Sequence, residues 1–149
     1  MEEGGGRLLP GAAGMRFLIC EDGTEYSERF SRFLGEQFRF ERAGCFREAL
    51  ALSSSCDGLL LDLDFRRTDP ALLVDEAGAP APKSSAEIQG ILILRALRSR
   101  GVKLPALLFA DLDDSVRIAR LQAELAPLEV VSSGEGLAEI ARRLEAISR

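Results

Sequence analysis

The sequence predicts a single α/β domain with a five-stranded parallel sheet, and two observations support this prediction. Short apolar runs alternate with amphipathic stretches along most of the 149 residues. Such alternation is typical of βαβ units, in which helices cover both faces of parallel strands. With 46% hydrophobic and 29% charged residues, the chain also has the composition and length of one ordinary folded domain. We therefore expect a flavodoxin-like, doubly wound sheet with strand order 2-1-3-4-5.

The first half of the chain contains three predicted strands and two predicted helices. Residues 16–20 form the first strand, and Thr24 caps a helix whose apolar side chains recur at helical spacing. The second strand is a short run at 38–41, and a second helix begins near Phe46. The third strand covers 59–63 and is almost entirely apolar, as expected for a strand that is buried on both faces.

The second half continues the alternation. Its predicted elements are helix three at 88–100, strand four at 104–109, a fourth helix capped by Asp113 or Asp114, strand five at 128–131 and a terminal helix from about Leu137. The fourth helix carries two apolar rows. One row should face the sheet, and the other is either core or a docking face or dimer seam, for which the candidates are Ile118, Leu121 and Leu125.

Residues 65–87 interrupt this regular pattern. The segment contains Pro70, Gly78, Pro80 and Pro82, and it is too long for an ordinary connection between a strand and a helix. It predicts an inserted loop that serves as a lid or partner-binding loop, or else a tolerated surface excursion. Because helix three is apolar almost all round, we expect it to be covered, either by a partner chain or by Leu72, Leu73 and Val74. These three residues are also candidate partner-binding residues of the insertion.

Acidic residues follow two of the apolar strands. Glu21 and Asp22 follow the first strand, and Asp62 ends the run of leucines in the third. The carboxyl ends of parallel strands meet at one edge of a sheet, where ligands of open α/β sheets bind. Carboxylate oxygens are ligands for Mg²⁺, so this edge is a candidate Mg²⁺ site. The alternative is an acidic turn in which Asp22 caps the first helix.

Composition excludes several classes of function. The chain has no histidine, which excludes histidine-based catalysis, histidine metal sites and a phosphohistidine relay from this chain. Its net charge of −5 argues against nucleic-acid and anionic-membrane binding. Three cysteines without a CxxC motif indicate reduced thiols and a cytoplasmic protein. Residues 1–14 predict a disordered leader before a domain at 15–149.

Three segments together resemble the receiver domain of two-component response regulators. They are FLICED at 17–22, DGLLLD at 57–62 and LPALLF at 104–109, and the resemblance extends over residues 15–149. It implies that Asp62 is the phospho-acceptor. It also implies that Mg²⁺ is held by Glu21, Asp22, Asp62 and the backbone carbonyl of Asp64. A metal ion lets an anionic phosphoryl donor approach a carboxylate.

The chain departs from the receiver pattern at the positions that answer phosphorylation. Ala110 stands where the family has Ser or Thr, Ser133 where it has Lys, and Val130 where it has a switch aromatic. The glycine that follows the acceptor in the family matches Gly90, which is 28 residues after Asp62, so the resemblance also implies an insertion.

These departures predict a pseudo-receiver that takes part in signal transduction by binding another protein, such as a kinase or effector, and that is not an enzyme. A homodimer is a further candidate assembly. One alternative is a phosphorylatable single-domain response regulator that accepts phosphate on Asp62. Another is a small Mg²⁺-dependent phosphohydrolase with Asp62 as nucleophile and Asp64 as acid/base.

Overall fold

Five parallel strands form one sheet in the order β2-β1-β3-β4-β5. The structure is a computed structural model that describes residues 14–147. The predicted fold class and strand order are confirmed. The predicted leader, 1–14, lies outside the described residues apart from Gly14.

Helices alternate with the strands as expected. The strands are β1 (Arg16–Cys20), β2 (Arg39–Ala43), β3 (Gly58–Asp62), β4 (Ala106–Phe109) and β5 (Leu128–Val131). The α-helices are α1 (Glu25–Leu34), α2 (Phe46–Ser53), α3 (Gln89–Ser99), α4 (Ser115–Glu124) and α5 (Leu137–Ile147). Two 3₁₀ helices, Pro70–Leu72 and Lys83–Ile88, lie between β3 and α3. Within residues 14–147, no helix combines the length and apolar character needed to cross a membrane.

The bounds of three strands differ from the prediction. β2 extends to Ala43, because it pairs with β1 in a register that ends at Cys20 and Ala43. β3 begins one residue earlier than expected, at Gly58. β4 begins only at Ala106, since Pro105 has no N–H for the ladder, although its carbonyl oxygen accepts a hydrogen bond from Leu59 N at 2.8 Å.

Side chains from the strands alternate between two apolar clusters, one on each face of the sheet. Phe17, Leu60 and Leu107 join α1 and α5 on one face. Leu18 and Leu61 join α2, α3 and α4 on the other. The three cysteines are free and buried, as the prediction of reduced thiols requires.

The 65–87 insertion is folded rather than a plain loop. Val74 and Pro80 form an isolated antiparallel bridge, and the turn between them is closed by the Asp75 side chain, which accepts hydrogen bonds from Ala77 N and Ala79 N. Leu73 and Val74 are buried in the same cluster as α3. The expectation that this segment covers α3 is therefore confirmed for these two residues.

Gln89 joins the insertion to α3. Its side chain is buried, its Oε1 accepts a hydrogen bond from Val74 N at 2.9 Å, and its Nε2 donates to Val74 O at 3.0 Å. The amide thus satisfies both backbone groups of a residue that lies outside the main sheet. The end of α3 is tied as well, because Arg100 Nη1 donates to Ala77 O at 3.0 Å.

Candidate functional site

Acidic and hydroxyl side chains meet at the carboxyl edge of the sheet. The strand register pairs Cys20 with Leu61 and Asp62 with Phe109, so β1, β3 and β4 end at a similar level. Phe109 pairs in turn with Val131 at the end of β5. The residues predicted to form the site therefore do converge at one edge.

Glu21 is a helix cap. Its side chain is buried, with Oε1 accepting a hydrogen bond from Tyr26 N at 3.0 Å and Oε2 one from Ser27 N at 2.9 Å. These N–H groups belong to the first turn of α1, where an anion is favourable. Thr24 occupies the N-cap position as predicted, but its side chain makes no capping hydrogen bond. The alternative of a cap by Asp22 is wrong, because both of its oxygens accept hydrogen bonds from Arg67. Both oxygens of Glu21 are thus used within the fold.

Asp22 pairs with Arg67 from the insertion. Only 5% of the Asp22 side chain is exposed, and its Oδ1 lies 3.0 Å from Arg67 Nη2. Its Oδ2 accepts a hydrogen bond from Arg67 N at 2.9 Å. The same guanidinium binds Glu25 at 2.9 and 3.0 Å. This pairing, chiefly the hydrogen bond from Arg67, lowers the pKa of Glu25 to about 2.

Asp62 is a half-buried acid at the end of β3. Its Oδ1 accepts a hydrogen bond from Leu63 N at 2.9 Å. The pKa of Asp62 is raised to about 6, chiefly by burial; the Leu63 N–H acts to lower it, and the charges of Asp22 and Glu21 act to raise it. Asp64 faces a different partner, since its Oδ1 accepts from Arg66 N at 2.8 Å and its Oδ2 pairs with the Arg66 side chain.

In this arrangement two of the four predicted Mg²⁺ ligands have both carboxylate oxygens bound by the protein itself. Glu21 caps α1, and both oxygens of Asp22 face Arg67. As the side chains lie between residues 14 and 147, with Asp22 bound to Arg67, no group of three or more Asp, Glu or Cys could hold a metal ion. The edge is therefore acidic in sequence, but Glu21 and Asp22 are already bound to groups of the protein.

Of the two positions that contact the phosphoryl group in receivers, Ala110 and Ser133, the second is hydrogen-bonded to Asp111. Asp111 accepts hydrogen bonds from Ser133 N at 3.0 Å, from the Ser133 hydroxyl and from the Ser132 hydroxyl at 3.2 Å. The Ser133 hydroxyl is the main reason that the pKa of Asp111 lies below its usual range. Ala110 beside it is buried and has no polar side chain to offer.

The loop that follows β5 contains no lysine. Its two lysines are Lys83, in the insertion, and Lys103, which precedes β4 and so lies toward the opposite edge of the sheet. Val130 is half-buried on β5, and its N–H donates to Gln122 Oε1 at 2.9 Å.

Sequence reasoning missed Tyr26, Arg67 and Asp111 as residues of this edge. Tyr26 belongs by its spacing to the apolar stripe of α1, and its ring stacks on Phe109 at 4.8 Å between centroids. Burial raises the pKa of Tyr26 to about 12, with a contribution from the charges of Asp62 and Asp111. The position of Asp111 two residues after the end of β4 was the available signal, whereas nothing local marked Arg67.

Four of the six candidate partner-binding residues belong to the core. Leu73, Val74, Leu121 and Leu125 are at most 9% exposed, so their assignment to a binding surface is wrong. Leu72 and Ile118 are half-buried. The row of α4 that contains Leu121 faces the sheet, and the opposite row presents exposed residues, namely Val116, Ala119 and Ala123.

No protein-family model and no curated protein matches the sequence. Solved structures do. The receiver domain of the Francisella response regulator 1452 has a TM-score of 0.66 at 15% identity, covering 91% of this chain and 97% of that one. The non-phosphorylated HemR receiver domain from Leptospira biflexa has a TM-score of 0.63 at 22% identity, covering 90% and 94%. Vibrio cholerae chemotaxis protein CheY4 has a TM-score of 0.65 at 14% identity, covering 91% and 99%. At these identities the likeness concerns architecture, and the chain has the fold of response-regulator receiver domains.

Proposed function

We propose that this chain is an atypical receiver-like domain that works in signal transduction by binding another protein, without a phospho-switch at Asp62. One observation carries the proposal. The hydroxyl and the lysine that would bind a phosphoryl group in a receiver are replaced by Ala110 and by Ser133, and Ser133 is hydrogen-bonded to Asp111. A switch needs contacts that differ between its two states, and these residues offer neither a free hydroxyl nor a cation.

Electrostatics at the edge supports the same proposal. A phosphoryl group on Asp62 would carry about two negative charges at neutral pH, a net gain of about one over the ionised carboxylate that it replaces. Asp62 already experiences the charges of Asp22 and Glu21, which act to raise its pKa. Additional negative charge at this point would be repelled by its neighbours unless a cation compensated it. The guanidinium of Arg67 is engaged with Asp22 and Glu25.

A phosphorylatable receiver is the second candidate, and one observation favours it. Asp62 ends β3 at the carboxyl edge, and its side chain is half-buried rather than sealed in the core. No comparable observation favours the phosphohydrolase. Its proposed acid/base, Asp64, is bound by both the backbone N–H and the side chain of Arg66.

The mass of the intact protein after incubation with acetyl phosphate and Mg²⁺ tests the proposal. We expect no phosphoryl adduct on the wild type, while a phosphorylatable receiver treated in parallel gains one. Asp62→Asn serves as the matched variant. An adduct on the wild type that is missing from Asp62→Asn would favour the second candidate instead.

The exposed row of α4 is the surface on which we place the protein contact. Val116 is 58% exposed, although it is apolar. Size-exclusion chromatography with light scattering distinguishes a second copy of this chain from a different partner. If the exposed row of α4 joins two copies of this chain, the wild type elutes as a dimer and Val116→Asp as a monomer. A monomeric wild type would exclude the homodimer and leave a different protein as the partner.

A further inference from the structure

The backbone on both sides of Arg67 is anchored. Phe65 is fully buried, and its N–H donates to Ala86 O at 2.8 Å. Thr68 N donates to Phe65 O at 3.0 Å, and Thr68 Oγ1 donates to Gly44 O at 3.2 Å. The Arg67 side chain thus projects from an anchored turn next to the acidic edge.

Its guanidinium serves two carboxylates at once. Nη2 lies 3.0 Å from Asp22 Oδ1, and Nη1 and Nη2 bind the two oxygens of Glu25 as a fork. Asp22 is nearly buried, whereas 59% of the Arg67 side chain and 66% of the Glu25 side chain are exposed. The exposed guanidinium therefore covers Asp22 on its solvent side. Its charge compensates a carboxylate that has lost most of its contact with water.

The loop between β1 and α1 is shaped around this guanidinium. A Cβ atom on Gly23 would lie 2.5 Å from Arg67 Nη2 and 2.3 Å from Glu25 Oε1, so a larger residue would displace the ion pair. A second arginine also binds the backbone of this loop. Arg42 Nη2 donates to Glu21 O at 3.2 Å, and Arg42 Nε donates to Gly23 O.

We propose that Arg67 takes the place of a divalent cation at this edge, so that the insertion supplies the counter-charge and keeps metal ions out. Both oxygens of Asp22 face Arg67, and Mg²⁺ would need those oxygens. An arginine guanidinium is not deprotonated in proteins, so a change of pH does not release Asp22 to a metal ion by neutralising Arg67. This inference does not depend on whether the domain is a signalling module.

Titration with Mn²⁺, as a paramagnetic probe for Mg²⁺, tests the proposal through broadening of backbone amide NMR signals. We expect the wild type to show no saturable broadening at millimolar Mn²⁺. Arg67→Ala should gain saturable broadening centred on Asp22, at least about tenfold tighter than any residual binding to the wild type. Adding Asp22→Asn to Arg67→Ala should remove it again.

Arg66→Ala is the matched control, because Arg66 is the neighbouring residue but pairs with Asp64. It should behave as the wild type does. Arg67→Gln, which is neutral but keeps much of the side-chain length, provides the second variant if Arg67→Ala does not fold. Equal Mn²⁺ binding at Asp22 in the wild type and the Arg67 variants would overturn the proposal. So would a folded Arg67 variant that gains no binding, since the carboxylates would then form no cation site even when released.

Discussion

Gly90 packs directly against the backbone carbonyl of Asp62, so closely that a Cβ atom on Gly90 would lie 1.9 Å from that oxygen. The same glycine donates its N–H to Leu63 O at 2.9 Å. The first turn of α3 is therefore seated on the end of β3, at the position of the candidate phospho-acceptor. Glycine is required here by this close approach, since its lack of a Cβ is what lets the two backbones meet.

Gly90→Ala should destabilise the protein. Alanine would otherwise favour the helix by about 1 kcal/mol. The clash with Asp62 O outweighs this gain, so we expect a net loss of about 2 kcal/mol or more in the free energy of unfolding. Urea denaturation measures it. Gly136→Ala is the control, because a Cβ there would meet no atom within 4 Å. Equal effects of the two substitutions would contradict the prediction.

Gln89→Leu should release the insertion from α3. Leucine fills a similar volume but leaves the N–H and carbonyl of Val74 without their partners. Unpaired buried polar groups cost about 1–3 kcal/mol each, so we expect a loss of stability of about 2–4 kcal/mol. Hydrogen exchange should accelerate selectively at residues 73–81. Gln37→Leu, at an exposed position, should change neither quantity. Unchanged exchange at 73–81 in Gln89→Leu would show that the side-chain amide does not hold the segment.

Asp114→Ala should weaken the start of α4. Asp114 Oδ1 accepts hydrogen bonds from Val116 N at 2.9 Å and from Arg117 N at 3.2 Å, as an N-cap does. Loss of such a cap costs about 1 kcal/mol, measurable by thermal or urea denaturation. Asp113→Ala serves as the control, because the sequence offered both aspartates as caps and the structure selects Asp114. A larger effect at Asp113 would reverse that assignment.

Ser133→Ala should raise the pKa of Asp111 toward the usual value for aspartate. In the folded protein the Ser133 hydroxyl and N–H stabilise the ionised carboxylate and hold its pKa low. That contribution to stability is fully present above the pKa of the unfolded chain and is lost as the pH falls through the lower folded pKa. The stability difference between wild type and variant should therefore shrink on acidification. Carboxyl ¹³C NMR titration measures the pKa directly.

Ser132→Ala provides the comparison for this titration, since its hydroxyl contributes least to the lowered pKa of Asp111. It should move the pKa less than Ser133→Ala does. A larger movement for Ser132→Ala would assign the main hydrogen bond to the wrong serine.

Local sequence pattern predicted the fold well where a strand is apolar and continuous. β1 and β5 have the predicted bounds, and the apolar run of β3 was displaced by one residue. β2 was harder, because its sequence RFERA carries three charged residues in five, as an edge strand can. Its true end is fixed by pairing with β1, which is a tertiary property and leaves no local mark.

The site was predicted as a location but not as a set of partners. The convergence of Glu21, Asp22 and Asp62 follows from strand polarity alone. The pairing of Asp22 with Arg67 spans 45 residues and depends on the path of the insertion, which no periodicity encodes. The cap by Glu21 was missed for a related reason. Side chains just before a helix are the usual caps, whereas Glu21 reaches the first turn across a tight loop.

The folded insertion has a consequence for the minimal unit that can fold. Phe65, Leu73, Val74 and Ala86 belong to the same apolar cluster as α3. A protein without this segment would expose the outer side of α3. Loss of binding in such a deletion variant would therefore reflect unfolding and not a lost binding contact. The segment is thus part of the hydrophobic core of this chain, and a role of its outer face in binding is tested by single substitutions at exposed positions such as Glu76.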